Sequence, residues 1–165
     1  MALAKEMIVL MYQDDGVGLA APQVGMNVRL MVFNEFGREK PGEEQILVNP
    51  EITSSTGPKV VEQEGCLSFP ALQADVERPF TITVKAQNAK GEPVTFKFED
   101  WVARIFQHEF DHLQGVLFHD RMKPLQLARI RPGLVLLEEE FIAQHPGVPI
   151  QRLQPPKVFK GFGAK

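Results

Sequence analysis

Leu3, Met7, Leu10 and Met11 recur at the three- and four-residue spacing that lines one face of a helix, which predicts a helix over residues 2–13. Asp14-Asp15-Gly16 ends it, and the small-residue run GVGLAAPQVG (16–25) reads as a compact loop. VRLMVF (28–33) is apolar and rich in β-branched and aromatic residues, the composition of a buried strand. NEFGREKPGEEQ (34–45) is polar and punctuated by Gly and Pro, so an exposed loop is expected. Residues 46–48 and 59–61 read as short strands separated by the turn-rich TSSTGPK. Alternation in Phe80, Ile82, Val84 and in Val94, Phe96, Phe98 predicts a hairpin around NAKGEP (88–93).

A second helix is expected over 100–114, with Asp100 as N-cap and Gly115 just past its end. A third helical region covers 125–144. Arg131-Pro132-Gly133 is expected to kink or split it, because proline lacks a backbone donor and clashes with the preceding turn. The Pro/Gly-rich, basic stretch beyond it is expected to be extended or mobile. Strands dominate the middle and helices flank them. That predicts an α+β fold in one domain, residues 1–145, with a tail over 146–165.

The length of 165 residues suits one domain with a sizeable core, and 44% hydrophobic with 24% charged residues is an ordinary globular balance. A net charge of −3 gives no reason to expect direct nucleic-acid binding. No apolar run approaches the roughly 20 residues that span a membrane, so no membrane association is expected. MALAKEMIVLMYQDDG lacks the features of a signal peptide. Cys66 is the single cysteine, which excludes an internal disulfide and leaves a buried filler, a reactive thiol or a metal ligand.

His108-Glu109-Phe110-Asp111-His112 fits H-E-x-x-H. Residues four apart share a helix face, so both imidazoles can grip one ion, and Glu109 sits beside the open coordination position, where it can take a proton from activated water. Trp101, Ile105, His108 and His112 follow i, i+4, i+7, i+11. The histidines therefore continue an apolar stripe and face inward, where they need polar partners. His119 and His145 are expected at the surface. Asp111 reads as an exposed helix carboxylate, with orientation of a metal ligand as the alternative. A catalytic metal needs a third protein ligand, and no further His or Glu follows the helix as in zincin peptidases. Cys66, in EGCLS beside a permissive glycine, is the better candidate, a soft ligand suited to iron or zinc.

GVGLAAPQ, EGCLS and HEFDH together, in this order and at these separations, resemble the peptide deformylases over about residues 5–143. The resemblance implies antiparallel β-sheets packed around a central H-E-x-x-H helix, with a C-terminal helix. It also implies hydrolysis of the N-formyl group from the formyl-methionine of nascent polypeptides, releasing formate. Cys66, His108 and His112 would hold one divalent ion, Fe(II) in the physiological enzymes, replaceable by zinc, nickel or cobalt. Glu109 would act as base and then acid. Gln23 and the backbone N–H of Leu67 would donate to the formyl oxygen as it gains charge. Val17, Gly18, Trp101 and Ile105 would shape the methionine pocket, and Gly18 and Gly65 would offer backbone groups to the extended peptide. Arg78 would lie near the substrate peptide, a surface ion pair being the alternative. Arg104 stands where smaller apolar residues are common in the family, which alters the expected pocket. Family members usually carry a further N-terminal segment, and this sequence is expected to lack it.

Three other readings compete with this one. G-x-G-x-x-A over residues 16–21 fits a dinucleotide-binding pattern, but a helix precedes it and Pro22-Gln23 follows, against that fold's strand-turn-helix context. An H-E-x-x-H metallopeptidase is the second. A catalytically inactive, metal-binding relative is the third. LMVFN, GREKPGEE, ARIFQHEFDHL and GFGAK look most like the plastid-type members, implying a plastid, with a bacterial cytoplasm as the alternative. The basic tail, with Arg152, Lys157, Lys160 and Lys165, is expected to help ribosome docking.

Overall fold

A computed structural model describes residues 1–153. Its elements in chain order are α1 (Ala2–Gln13), β1 (Gly18–Ala20), β2 (Leu30–Phe33), β3 (Gln45–Cys66), β4 (Phe69–Gln87), β5 (Pro93–Glu99), α2 (Asp100–Leu113) and α3 (Pro124–Gln144). Short 3-10 turns cover Ala21–Val24, Gly37–Glu39 and Phe118–Arg121. The five strands form one antiparallel sheet in sequence order.

Helix α2 packs against the middle of that sheet. Ala103, Ile105 and Phe106 meet Met31, Phe33, Leu47, Ile82 and Val84, which alternate onto one face of their strands. Phe106 is fully buried and meets Phe33 edge-on, a favoured aromatic geometry. Ala4, Met7 and Met11 of α1 seal one end over Leu19, Leu30 and Val32. Ile130 and Leu134 of α3 seal the other over Ala74, Val76 and Phe118. No helix among the described residues is long and apolar enough to cross a membrane.

Several local expectations change. The two short strands at 46–48 and 59–61 are parts of the single strand β3. TSSTGPK does not turn the chain back, because Ser54, Ser55 and Thr56 find partners on β4 and the surplus residues are absorbed at register shifts, with Gly57 at φ +76°. Phe80–Ala86 is likewise only part of the long β4. The small-residue segment 16–25 is not a plain loop. Gly18–Ala20 pairs with β2, and the Ala21–Val24 turn follows. Its residues are buried throughout the strand, so no alternation marked it. Helix α2 begins at Asp100 itself, after Glu99, rather than being capped by it. Helix α3 runs unbroken through Pro132. Ile130 and Leu134 are buried on either side of the proline, so packing offsets its cost of about 3 kcal/mol. Residues 154–165 of the expected tail lie outside the described residues.

Candidate metal centre

Helix α2 places the His108 and His112 rings one turn apart, with centroids 5.1 Å from each other. Cys66 closes β3, and only Leu67-Ser68 separates it from Phe69, its partner at the start of β4. This hairpin end points Cys66 at the helix, with Sγ 3.4 Å from His112 Nε2. One ligand atom from each of Cys66, His108 and His112 falls within 4.8 Å of the others. Ligands about 2.0–2.3 Å from a tetrahedral ion stand roughly 3.5 Å apart, so this donor set fits a divalent metal with a fourth position left for substrate or water.

Charge favours the same reading at Cys66, whereas the His108 ring must give up a proton to bind an ion. Burial opposes ionisation of Cys66, but hydrogen bonds with His108 and His112 outweigh it and bring the thiol down to about 6. The thiolate is the form that binds metal. Burial also disfavours the charged His108 ring, yet Cys66 and Glu64 hold its pKa up at about 10. His108 Nδ1 lies 3.1 Å from Glu64 Oε2, which leaves Nε2 as the ligand atom.

Glu64 was not singled out from the sequence, and it organises the site. Its carboxylate takes both ends of the Arg78 fork at 2.6 and 2.8 Å and a further bond from Arg104 at 2.7 Å. Burial alone would raise its pKa, but His108 and Arg78 hold it at about 2. The available signal was period two: Glu64 lies two residues before Cys66, on the same face of the strand.

Arg78 was expected at the substrate peptide or in a surface ion pair. It is 4% exposed instead, spanning Glu64 and Asp111 behind the histidines. Asp111, read as an exposed carboxylate, is also buried and is clamped by Arg78 and Arg121. His119 is not a surface residue either. Its ring meets Phe69 and Phe118, and its Nδ1 is buried without a partner. His145 is exposed.

A cavity of about 710 Å³ opens beside Cys66 and His108. Val17, Gly18, Gln23, Gly65, Leu67, Trp101, Ile105, His108 and Glu109 all line it, together with Arg104 and, unanticipated, Gln63, Phe69, Leu72 and Gln73. Glu109 is buried, its Oε2 has no partner, and burial pushes its pKa up to about 7 against the pull of His108 and His112. Gln23 is fixed at both ends of its amide: Oε1 accepts from Ala20 N–H at 2.8 Å and Nε2 donates to Ser68 Oγ at 3.1 Å. Cys66, His108 and a neutral-range Glu109 carboxyl on the cavity wall, with His112 beside Cys66 behind them, define a candidate metallohydrolase site.

The comparisons with known proteins agree with that class. A sequence model described as polypeptide deformylase matches residues 1–128. Peptide deformylase 1B, chloroplastic, of Solanum lycopersicum is 50% identical over 139 residues, covering 84% of this chain and 50% of the tomato protein. The Arabidopsis thaliana relative, peptide deformylase 1B, chloroplastic/mitochondrial, is 44% identical over 167 residues, covering 99% and 61%. The chain thus spans about half the length of the curated relatives it matches. The crystal structure of Arabidopsis thaliana peptide deformylase 1B with an inhibitor superposes with a TM-score of 0.84 at 46% identity, covering 90% of this chain and 81% of that one. A Plasmodium falciparum peptide deformylase gives 0.84 at 36%, covering 87% and 84%. The chain belongs to the polypeptide deformylase family, whose members are metal-dependent.

Proposed function

We propose that residues 1–145 form the catalytic domain of a hydrolase that removes the formyl group from N-terminal formyl-methionine of nascent polypeptides. The observation that carries this is the convergence of Cys66, His108 and His112 within 4.8 Å beside the buried Glu109 carboxylate, whose Oε2 has no partner. Fe(II) is the proposed ion, with zinc, nickel or cobalt able to replace it. Bound there, the ion supplies a Lewis acid and makes water nucleophilic near neutral pH.

The chain's own groups do the rest. Gln23 Nε2 and the Leu67 N–H donate to the formyl oxygen as it gains negative charge. Glu109, with its pKa near 7, accepts the proton of the attacking water. Water oxygen bonds to the formyl carbon, the carbon–nitrogen bond breaks, and Glu109 returns a proton to the departing amine. Formate and a free N-terminal methionine leave. Val17, Trp101 and Ile105 contact the methionine side chain, while Gly18 and Gly65 hydrogen-bond the extended peptide. The chloroplastic names of the tomato, rice and Arabidopsis relatives support a plastid location. Ribosome docking through the basic tail is part of the proposal. Arg152, the one of its four basic residues that is described, pairs with Glu139.

Formate release from formyl-Met-Ala-Ser by the chain loaded with Fe(II) or Ni(II) tests the reaction. Turnover is expected. Bound metal without turnover favours the inactive relative, and cleavage of interior bonds in unformylated peptides favours a peptidase.

A further inference from the structure

Arg104 lies one helical turn before His108, and Glu64 lies two residues before Cys66. The Arg104–Glu64 contact therefore repeats, one step earlier, the contact between the histidine helix and the cysteine strand. Arg104 reaches four acceptors on two strands. Nη1 donates to Glu64 Oε1 at 2.7 Å and to the Val76 carbonyl at 3.0 Å. Nη2 donates to the Val60 carbonyl at 2.9 Å, and Nε pairs with Glu62 Oε2 at 2.7 Å. Three of the four belong to β3, which carries Cys66 at its end.

On Glu64 the division of labour is clear. Oε1 is held by Arg78 Nε at 2.6 Å and by Arg104, while Oε2 is left to Arg78 Nη2 and His108 Nδ1. Arg78 comes from β4, so it fixes Glu64 within the sheet, and its Nη1 reaches Asp111 at the far end of α2 at 2.8 Å. Arg104 comes from α2 itself, one turn before His108, so it fixes β3 against the helix beside the ligands. A planar, five-donor guanidinium suits this role, which an ammonium or an apolar side chain cannot fill.

We propose that Arg104 is a positioning residue that sets the spacing of the metal ligands, holding β3 against α2 and orienting Glu64 toward His108. This rests on the metal-centre reading above. Arg104 also lines the cavity, so direct contact with substrate is the competing role.

Arg104→Met keeps the length and removes the fork, while Glu64 keeps Arg78 as its counter-charge. Co(II) binding, followed by its thiolate charge-transfer absorbance, and steady-state deformylation are measured on the same preparations. Expected are a Co(II) dissociation constant raised about tenfold or more, in the range typical for groups behind metal ligands, a shifted absorbance band, and kcat lowered with KM within about twofold. Arg104→Lys falls between, since it keeps charge and loses planarity. If Arg104→Met shows no cooperative melt, Arg104→Lys carries the same comparison. Unchanged Co(II) affinity and spectrum overturn the proposal, as does a raised KM at constant kcat. Failure of the unsubstituted chain to bind Co(II) overturns the metal-centre reading with it.

Discussion

Gly18 and Glu109 stand so close that a Cβ on Gly18 would come 2.5 Å from Glu109 Oε1. The glycine is required for space, since strand β1 passes directly against the carboxylate that lines the cavity. Gly18→Ala is expected to push that carboxylate aside. Misplacing a reacting group by about 1 Å costs on the order of 10²-fold in rate. Kinetic assay and metal analysis of the variant should give a kcat reduced by about that factor with metal content unchanged; full activity would mean the carboxylate position is unimportant.

Glu109→Ala removes the proposed proton carrier and leaves all three ligands. General acid–base groups contribute about 10²–10⁴-fold. The expected variant binds a full equivalent of metal and loses turnover in that range. Loss of metal together with activity would instead assign Glu109 to the ligand set.

Arg78→Ala tests the buried network. Removing one partner of a buried ion pair typically costs about 3–5 kcal/mol, and Arg78 holds two carboxylates, Glu64 and Asp111. Urea unfolding should show a loss of that size, with KM for the formyl peptide little changed in protein that remains folded. A raised KM at wild-type stability would restore the substrate-contact role.

Glu64 links stability to acid. Its folded pKa, about 2, lies below its ordinary 4.5. A carboxylate depressed in this way contributes stability that is complete above its unfolded pKa and disappears as pH falls through the folded one. The metal-free chain should therefore lose stability between about pH 4.5 and 2, and Glu64→Gln should lose less over the same window. Urea midpoints at stepped pH decide it: equal slopes for both proteins would place the acid sensitivity elsewhere.

The convergence of Cys66, His108 and His112 was legible because its signals are local. His108 and His112 are four apart on a strongly amphipathic helix, and Cys66 is the one cysteine in a recognisable pentapeptide. Helices α1 and α2 were legible for the same reason, with Met7 and Met11 facing inward from α1, although Leu10 of the same predicted face is exposed. The long strands were not. Hydrogen bonding to β4 overrode the turn propensity of TSSTGPK, and packing of Ile130 and Leu134 overrode Pro132.

Of the charges behind the metal centre, Arg78 and Asp111 were misread and Glu64 was passed over for a related reason. Glu64, Arg78, Arg104 and Asp111 look like surface residues one at a time, because each is costly to bury alone. Only when β3, β4 and α2 come together do they neutralise one another. Which residues form the candidate metal-binding cluster was thus written into short stretches of the chain, where spacing along a helix or strand dictates shared direction. Which groups hold those atoms in place was decided by tertiary structure, because a buried charge becomes affordable only beside a partner brought from a distant part of the sequence.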